Sequence, residues 1–176
     1  THVNVLGPLG NGFSSPLPDS TPVIVAGGYG CAATYLLART SVSPPVCLLG
    51  GRSEGDILLV DRFEALGCDV RVSTDDGSCG HQGMVTELLG PLLAEKETLG
   101  PVYACGPNPM LRAVGRIMLA RGEDAEVSLD HVMCCGVGAC FACVMKMRAD
   151  TPEGWSYVRT CLKGPVFRAS DVCWDD

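Results

Sequence analysis

The sequence predicts an α/β protein with a doubly wound parallel sheet and a small β-rich segment at its C-terminus. Short apolar runs alternate with helix-like stretches between Pro22 and Leu129, and cysteines cluster beyond that point. The chain has 176 residues, of which 47% are hydrophobic, so it can bury a substantial core. We expect a lead-in loop at 1–20, a sheet domain at 21–129 and a C-terminal segment at 130–176.

Apolar runs bounded by glycine, proline or polar residues are typical of buried parallel strands. The predicted strands of the sheet are Pro22–Ala26, Val46–Gly51, Cys68–Thr74, Pro101–Cys105 and Ala125–Leu129. The predicted helices between them are Cys31–Arg39, Ile57–Leu66, Met84–Leu93 and Met110–Arg121. In the C-terminal segment we predict strands at Val144–Met147 and Trp155–Arg159, joined by a turn at Thr151–Gly154.

Three loops follow strands of the predicted sheet, and in parallel sheets ligands bind at the carboxyl ends of strands. The glycines of the first loop would let the backbone approach a pyrophosphate at a helix N-terminus. An ordinary tight turn explains them too, since the G-x-G-x-x-G form is absent. The candidate nucleotide contacts are Gly27, Gly28, Gly30, Thr74, Asp76, Gly77, Cys105, Gly106 and Pro107. Two interpretations of Cys105 remain open: its side chain lies near a nicotinamide, or it is a packed thiol at the end of a strand.

Four cysteines, Cys135, Cys140, Cys143 and Cys161, follow the spacing Cys-x4-Cys-x2-Cys-x17-Cys. This spacing matches the plant-type 2Fe–2S centre, in which three thiolates come from one loop and the fourth from a later segment. We therefore predict these four side chains as cluster ligands. Cys134 does not fit the template, and we expect its side chain to point away from that of its neighbour.

Structural zinc, a disulfide framework and buried free thiols are the alternatives to a cluster. Zinc sites more often show a Cys-x2-Cys pair in both halves, and only one half has it here. The sequence holds no Ser-His-Asp or paired-carboxylate pattern, and the loop histidines His81 and His131 are not expected to be catalysts. We assign no catalytic residue.

Charge and composition exclude several partners. The net charge is −7 with 13 Lys and Arg, so nucleic acid and anionic membranes are poor partners. No apolar run is long enough to span a bilayer, and no signal peptide is visible at the N-terminus. The eleven cysteines are best explained by a reducing cytoplasm.

With these motifs in place, the chain resembles the iron–sulfur electron-transfer subunits of NAD-dependent dihydroorotate dehydrogenases, within the ferredoxin–NAD(P) reductase superfamily. The resemblance runs along nearly the whole chain, and its cluster loop and closing segment are the most specific parts. The matching segments are Gly7–Phe13, Gly27–Gly30, Thr74–Ser78 with Gly80 and Gly83, Tyr103–Met110, Ser128–Asp130, Cys135–Cys143, Cys161 and Gly164–Phe167.

The resemblance implies a nucleotide-binding domain of the ferredoxin reductase type and an enzyme complex of pyrimidine biosynthesis. An FMN-containing catalytic subunit, expected in a heterotetramer, would oxidise dihydroorotate. Its electrons would pass through a 2Fe–2S cluster and FAD to NAD, because a nicotinamide takes two electrons together and a cluster carries one. The apolar cluster loop, with Val137 and Phe141, is expected to be covered by the partner or to pack against its own strands.

The sequence departs from the family in two places. The family carries an N-terminal FAD-binding β-barrel that nothing before Gly7 could form, so the chain is a fragment or the flavin is held mostly by another chain. Ala33 stands where a proline usually follows the pyrophosphate turn.

Two other functions remain open. One is a related NAD(P)H:ferredoxin, sulfide or sulfite oxidoreductase subunit, although bifurcating relatives carry Asp where this chain has Cys135. The other is a zinc-stabilised, non-enzymatic interaction module.

Overall fold

The computed structural model describes residues 2–95, 99–129 and 132–174, so the expected loop histidine His131 lies outside the described residues. The strands are β1 (Thr21–Gly27), β2 (Val46–Gly51), β3 (Asp69–Thr74), β4 (His81–Gln82), β5 (Leu99–Cys105), β6 (Ala125–Ser128), β7 (Val144–Arg148), β8 (Trp155–Arg159) and β9 (Val166–Arg168). The helices are α1 (Gly30–Thr40), α2 (Val60–Glu64), α3 (Thr86–Glu95), α4 (Asn108–Ala120) and α5 (Thr160–Lys163).

Seven strands form one sheet in the order β4-β3-β2-β1-β5-β6-β9. All neighbours are parallel except β6 and β9, which are antiparallel. From β1 the chain first extends the sheet through β2 and β3, and it then returns to the other side of β1 to form β5 and β6. The order therefore reverses between β1 and β5, and ligands of open α/β sheets bind at such a reversal.

Alternation of side chains along β1 places a core on each face of the sheet. Val23 and Val25 pack in a core with residues of α3 and α4, whereas Ile24 and Ala26 pack in a second core with residues of α1 and α2. All four are at most 1% exposed. Helices cover both faces, and the predicted doubly wound α/β class is confirmed.

Three parts of the fold differ from the sequence-based expectation. Helix α2 is shorter than the predicted Ile57–Leu66, because Leu59 adopts left-handed backbone geometry with φ 64° and the helix begins after it. Strand β4 and helix α5 were not predicted. Strand β9 was not predicted either. It joins the main sheet by pairing with β6, with Phe167 opposite Val127.

The N-terminal loop is attached to the C-terminal segment. The Asn11 backbone N–H donates to the Gly164 carbonyl at 2.6 Å, and its side-chain amide donates to the Lys163 carbonyl at 2.9 Å. Phe13 packs edge-on against Tyr103, with ring centroids 5.5 Å apart. The predicted domain boundaries after residues 20 and 129 stay a prediction. The segments on either side of the sheet domain form hydrogen bonds with that domain or with each other, so no clear separation marks the boundaries.

Within the described ranges, no helix combines the length and the apolar character needed to cross a membrane.

Candidate iron–sulfur and dinucleotide site

The sheet brings the predicted nucleotide-binding loops to one edge. In the strand register, Ala26 lies beside Cys105, Gly27 beside Gly50, and Gly51 beside Thr74. Because these strands are parallel, the loops that follow β1, β3 and β5 all leave from the same edge. The nine candidate residues therefore lie at the carboxyl ends of β1, β3 and β5 or just beyond them, and their role as nucleotide contacts stays a prediction.

The glycine turn after β1 packs directly against the end of β5. A Cβ at Gly30 would lie 2.1 Å from the Cys105 carbonyl oxygen, and one at Gly27 would lie 2.9 Å from the Pro107 ring. Gly28 is different, because its φ is +53° and a Cβ there would meet nothing within 4 Å. The turn thus leaves open space above Gly28 at the start of α1, whose first turn has no acidic residue.

The loop after β3 is tied to the loop after β2. The Asp75 N–H donates to the Gly51 carbonyl and the Asp76 N–H donates to the Arg52 carbonyl, both at 3.1 Å. The Asp76 carboxylate accepts bonds from the hydroxyl and the N–H of Ser78, at 2.6 and 2.9 Å, and these bonds lower its pKa. Asp76 is therefore a fixed negative charge at this edge.

The cysteine loop begins beyond the carboxyl end of β6, on the same edge of the sheet. Its four predicted ligands fall into two neighbouring pairs: the backbone N–H and thiol of Cys140 lower the pKa of Cys135, and the backbone N–H and thiol of Cys161 lower the pKa of Cys143. Each pair joins side chains that the sequence pattern had grouped only by spacing. The pairing is consistent with a centre of two irons, each of which takes two protein ligands.

Backbone N–H groups converge on the Cys135 sulfur. Cys140 and Ala139 donate to it at 3.4 and 3.2 Å. The N–H groups of Cys140 and Val137, the Cys140 thiol and the Ala139 N–H lower the pKa of the Cys135 thiol to about 6. The loop therefore favours the thiolate, which is the form that binds metal.

The second pair is buried, with Cys143 and Cys161 each 4% exposed. The backbone N–H of Cys161 is the largest influence that lowers the pKa of Cys143. The thiol of Cys143 in turn raises the pKa of Cys161, so Cys143 loses its proton before Cys161 does. A buried pair of thiols suits metal ligation, because a bound metal displaces the thiol protons.

The residues present fit a 2Fe–2S cluster. They supply four thiols in two pairs, with backbone N–H donors of the kind that tune such clusters. Across residues 2–95, 99–129 and 132–174, no three His, Cys, Asp or Glu side chains group around the position of a single ion. The identity of the four ligands stays a prediction.

The Cys134 side chain was expected to point away from that of Cys135, and the structure brings it close to the Cys140 thiol. Its side chain is exposed, and interaction with the Cys140 thiol raises its pKa. Cys134 and Cys135 therefore both lie near Cys140. What distinguishes them is the set of backbone donors on the Cys135 sulfur.

Arg159, which the sequence pattern did not single out, holds the cysteine loop from β8. Its guanidinium donates to the Gly138 carbonyl at 2.5 Å, and its Cζ lies 4.6 Å from the centre of the Phe141 ring. Phe141 has φ 58°, an unusual backbone geometry for a bulky residue that its surroundings must maintain. Arg159 thus stabilises a strained loop between two predicted ligands.

We expect Arg159→Met to weaken cluster retention, because it removes both the charged hydrogen bond and the cation–π contact. The rate of loss of the visible cluster absorbance in the presence of an iron chelator should rise by about tenfold, which is about 1.4 kcal/mol. Arg148→Met is the matched control, since Arg148 in the same hairpin donates to the Ser170 carbonyl and leaves the loop untouched. Equal rates for the two variants would contradict the role of Arg159.

The comparisons with known proteins agree with this arrangement. Residues 130–173 match the model of the iron–sulfur cluster binding domain of dihydroorotate dehydrogenase B. The solved structure of an NADH-dependent reduced ferredoxin–NADP oxidoreductase, described for flavin-based electron bifurcation, is 29% identical with a TM-score of 0.77. The alignment covers 98% of this chain and 60% of that one. Fold and site together define an iron–sulfur protein of the ferredoxin reductase class.

Curated relatives narrow the assignment. The electron transfer subunits of dihydroorotate dehydrogenase B (NAD(+)) from Caldanaerobacter subterraneus and Fusobacterium nucleatum are each 39% identical over 97% of this chain. The subunit from Geobacillus kaustophilus is 40% identical over the same share. Along nearly its whole length, the chain is therefore similar to these electron transfer subunits. It spans just under two thirds of their length, 65–66%.

Proposed function

We propose that this chain is the electron-transfer part of a dihydroorotate dehydrogenase of pyrimidine biosynthesis. In this proposal it takes electrons from an FMN-containing catalytic subunit, which oxidises dihydroorotate, and delivers them to NAD. The supporting observation is the common edge of the sheet: the loop with two thiol pairs and the three nucleotide-type loops all leave from it. One chain thus offers a place for a one-electron carrier beside a place for a two-electron acceptor.

When bound, the 2Fe–2S cluster would supply one-electron transfer, FAD the conversion between single electrons and pairs, and NAD the acceptance of a hydride. The cysteine pairs would hold the cluster, and the backbone N–H groups of Ala139 and Cys140 would stabilise charge on the Cys135 sulfur. Arg159 would keep the loop in the conformation that presents these groups.

For NAD, the open space above Gly28 and the N-terminus of α1 suit a pyrophosphate. Cys105 is 1% exposed at the end of β5, on the same edge of the sheet. In this proposal it lies beneath the nicotinamide. The fixed carboxylate of Asp76 would repel an additional phosphate, which favours NAD over NADP.

FAD is proposed from the family alone, and no described residue is assigned to it. The partner is proposed as the FMN-containing catalytic subunit, in a heterotetramer. The cytoplasm is the proposed location, because eleven cysteines, unpaired by disulfides where the structure describes them, suit a reducing compartment.

The apolar surface around the cysteine loop supports docking of the partner. Phe141 and Val137 are 60% and 44% exposed, and Leu162 of α5 is 44% exposed beside Gly138. Phe141 contacts Arg159 and still leaves most of its surface open, so packing within this chain does not account for it. An exposed apolar patch of this kind is typical of an interaction site.

We expect Val137→Asp to abolish association with the FMN-containing subunit and dihydroorotate-dependent reduction of NAD, because it buries a charge in an apolar interface. Native gel filtration and the rate of NADH formation at 340 nm measure the two effects. The cluster spectrum of the variant alone should be unchanged. Leu119→Asp, at an exposed position of α4, is the control and should leave both association and rate intact. If the complex forms normally with Asp at 137, the interface is elsewhere.

A related ferredoxin–NADP oxidoreductase subunit is the second candidate, supported by the structural similarity over 98% of the chain. The two functions differ in their electron donor. Reduction of NAD by dihydroorotate in the reconstituted complex supports the first, and reduction of NADP by reduced ferredoxin supports the second. A colourless, zinc-containing protein after anaerobic purification would contradict both functions. It would support the zinc-stabilised interaction module instead.

A further inference from the structure

Thr160 has a buried hydroxyl group that the proposed function does not yet use. It is the first residue of α5 and is 1% exposed. Its Oγ1 has no hydrogen-bond partner of normal geometry among the described residues. Buried hydroxyl groups are nearly always paired, so an unpaired one calls for a specific explanation.

A small cavity places Thr160 beside the Cys143 sulfur. The Thr160 backbone N–H donates to the Cys143 carbonyl at 3.0 Å, which fixes the two residues next to each other. Both line a cavity whose five other lining residues carry apolar side chains, among them Leu129, Val132 and Met145. Of the side chains that line it, Cys143 is the one that can become a charged acceptor.

A thiolate at Cys143 would give the Thr160 hydroxyl the acceptor that it lacks. The backbone bond from Thr160 to the Cys143 carbonyl holds the two residues side by side, and both line the same cavity. A thiolate is a better acceptor than a thiol, because charge strengthens a hydrogen bond.

We propose that Thr160 is a positioning residue that tunes the cluster, and that its hydroxyl donates a hydrogen bond to the Cys143 thiolate when that thiolate binds iron. The inference rests on the proposed function, since it requires Cys143 to be a cluster ligand. Reduction adds one electron to the cluster and increases negative charge on its sulfurs. A donor aimed at a ligand sulfur stabilises the reduced form more than the oxidised form, and so it raises the reduction potential.

The burial of both residues strengthens this effect. Thr160 and Cys143 are 1% and 4% exposed, and a hydrogen bond between buried groups is screened less than one in water. Arg159, the preceding residue, acts on the loop through Gly138 and Phe141, so its role is separate from that of Thr160.

The test is a redox titration of the cluster-loaded full chain under anaerobic conditions, followed by its visible and electron paramagnetic resonance spectra. Thr160→Val removes the hydroxyl and keeps the shape of the side chain, whereas Thr160→Ser keeps the hydroxyl. We expect the valine variant to lower the equilibrium constant for reduction by about threefold to tenfold, or about 30–60 mV for a one-electron couple. The serine variant should keep the potential of the unmodified chain.

Thr34→Val is the matched control, because Thr34 is also buried but its hydroxyl bonds to helix carbonyls of α1. It should leave the potential unchanged. If Thr160→Val fails to assemble a cluster, Thr160→Ala and Thr160→Ser give the same comparison, since they differ only by the hydroxyl. A potential that does not depend on the hydroxyl in either comparison overturns the inference alone. Failure of the unmodified chain to bind a cluster overturns the proposed function with it.

Discussion

Cys135→Ser is expected to abolish or strongly alter the cluster, whereas Cys134→Ser should leave the iron content and the visible spectrum intact. The two residues are adjacent, and both side chains lie near Cys140. Backbone N–H groups of Ala139 and Cys140 donate to the Cys135 sulfur and lower its pKa to about 6. The Cys134 thiol has a raised pKa instead, chiefly because of the neighbouring charge of Cys140.

The difference in protonation favours Cys135 as the ligand near neutral pH, because iron binds the thiolate. Loss of one thiolate from a four-thiolate centre removes half the protein ligands of one iron. The measurement is iron and acid-labile sulfide per chain, with the visible spectrum, after anaerobic purification of each variant. Zinc analysis of the same samples tests the alternative metal. An intact cluster in Cys135→Ser and a lost one in Cys134→Ser would show that the ligand register begins one residue earlier.

Gly30→Ala is expected to disrupt the proposed nucleotide-binding edge and to destabilise the domain. The new Cβ would lie 2.1 Å from the oxygen and 2.5 Å from the carbon of the Cys105 carbonyl. Both contacts are with backbone, so α1 and β5 must separate, at a cost of about 3 kcal/mol or more in the free energy of unfolding. NADH affinity should fall by at least about tenfold, because the turn after β1 and the end of β5 shift relative to each other.

Chemical denaturation gives the free energy of unfolding, and calorimetric titration gives the NADH affinity. Gly90→Ala is the control, because Gly90 is an exposed helical glycine whose added Cβ meets nothing within 4 Å. There the gain in helix propensity is opposed by the following Pro91, so stability should change by less than about 1 kcal/mol. Normal NADH affinity in a folded Gly30→Ala variant would remove the glycine turn from the proposed site.

The accuracy of the sequence-based predictions varied with the length and regularity of each element. Strands β2 and β8 have the predicted bounds, Val46–Gly51 and Trp155–Arg159, because the apolar run of β2 and the aromatic residues of β8 carry a local signal. Helix α2 was predicted too long, since nothing in the sequence pattern indicates that Leu59 adopts a left-handed conformation. Two-residue β4 and three-residue β9 depend on pairing with distant strands, which local periodicity does not encode.

The candidate site shows the same division. The four cysteines were predicted as ligands from their spacing, because three of them must come from one short loop. Arg159 and Thr160 were missed, since neither belongs to a motif and each meets the cysteine loop only through a bond made by folding. The only signal in the sequence was that both residues lie close to Cys161. Position beside a predicted ligand does not by itself show that a residue contacts the cysteine loop.

The sequence by itself determined the class of the fold, the edge on which the nucleotide-type loops lie and the set of clustered thiols. These properties follow from residue types at short spacing. The tertiary structure decided how the thiols are grouped, which of Cys134 and Cys135 receives the backbone donors, and that Arg159 and Thr160 bond to the cysteine loop. Such contacts join residues from separate elements, so their energies depend on distances and burial that exist only once the chain has folded.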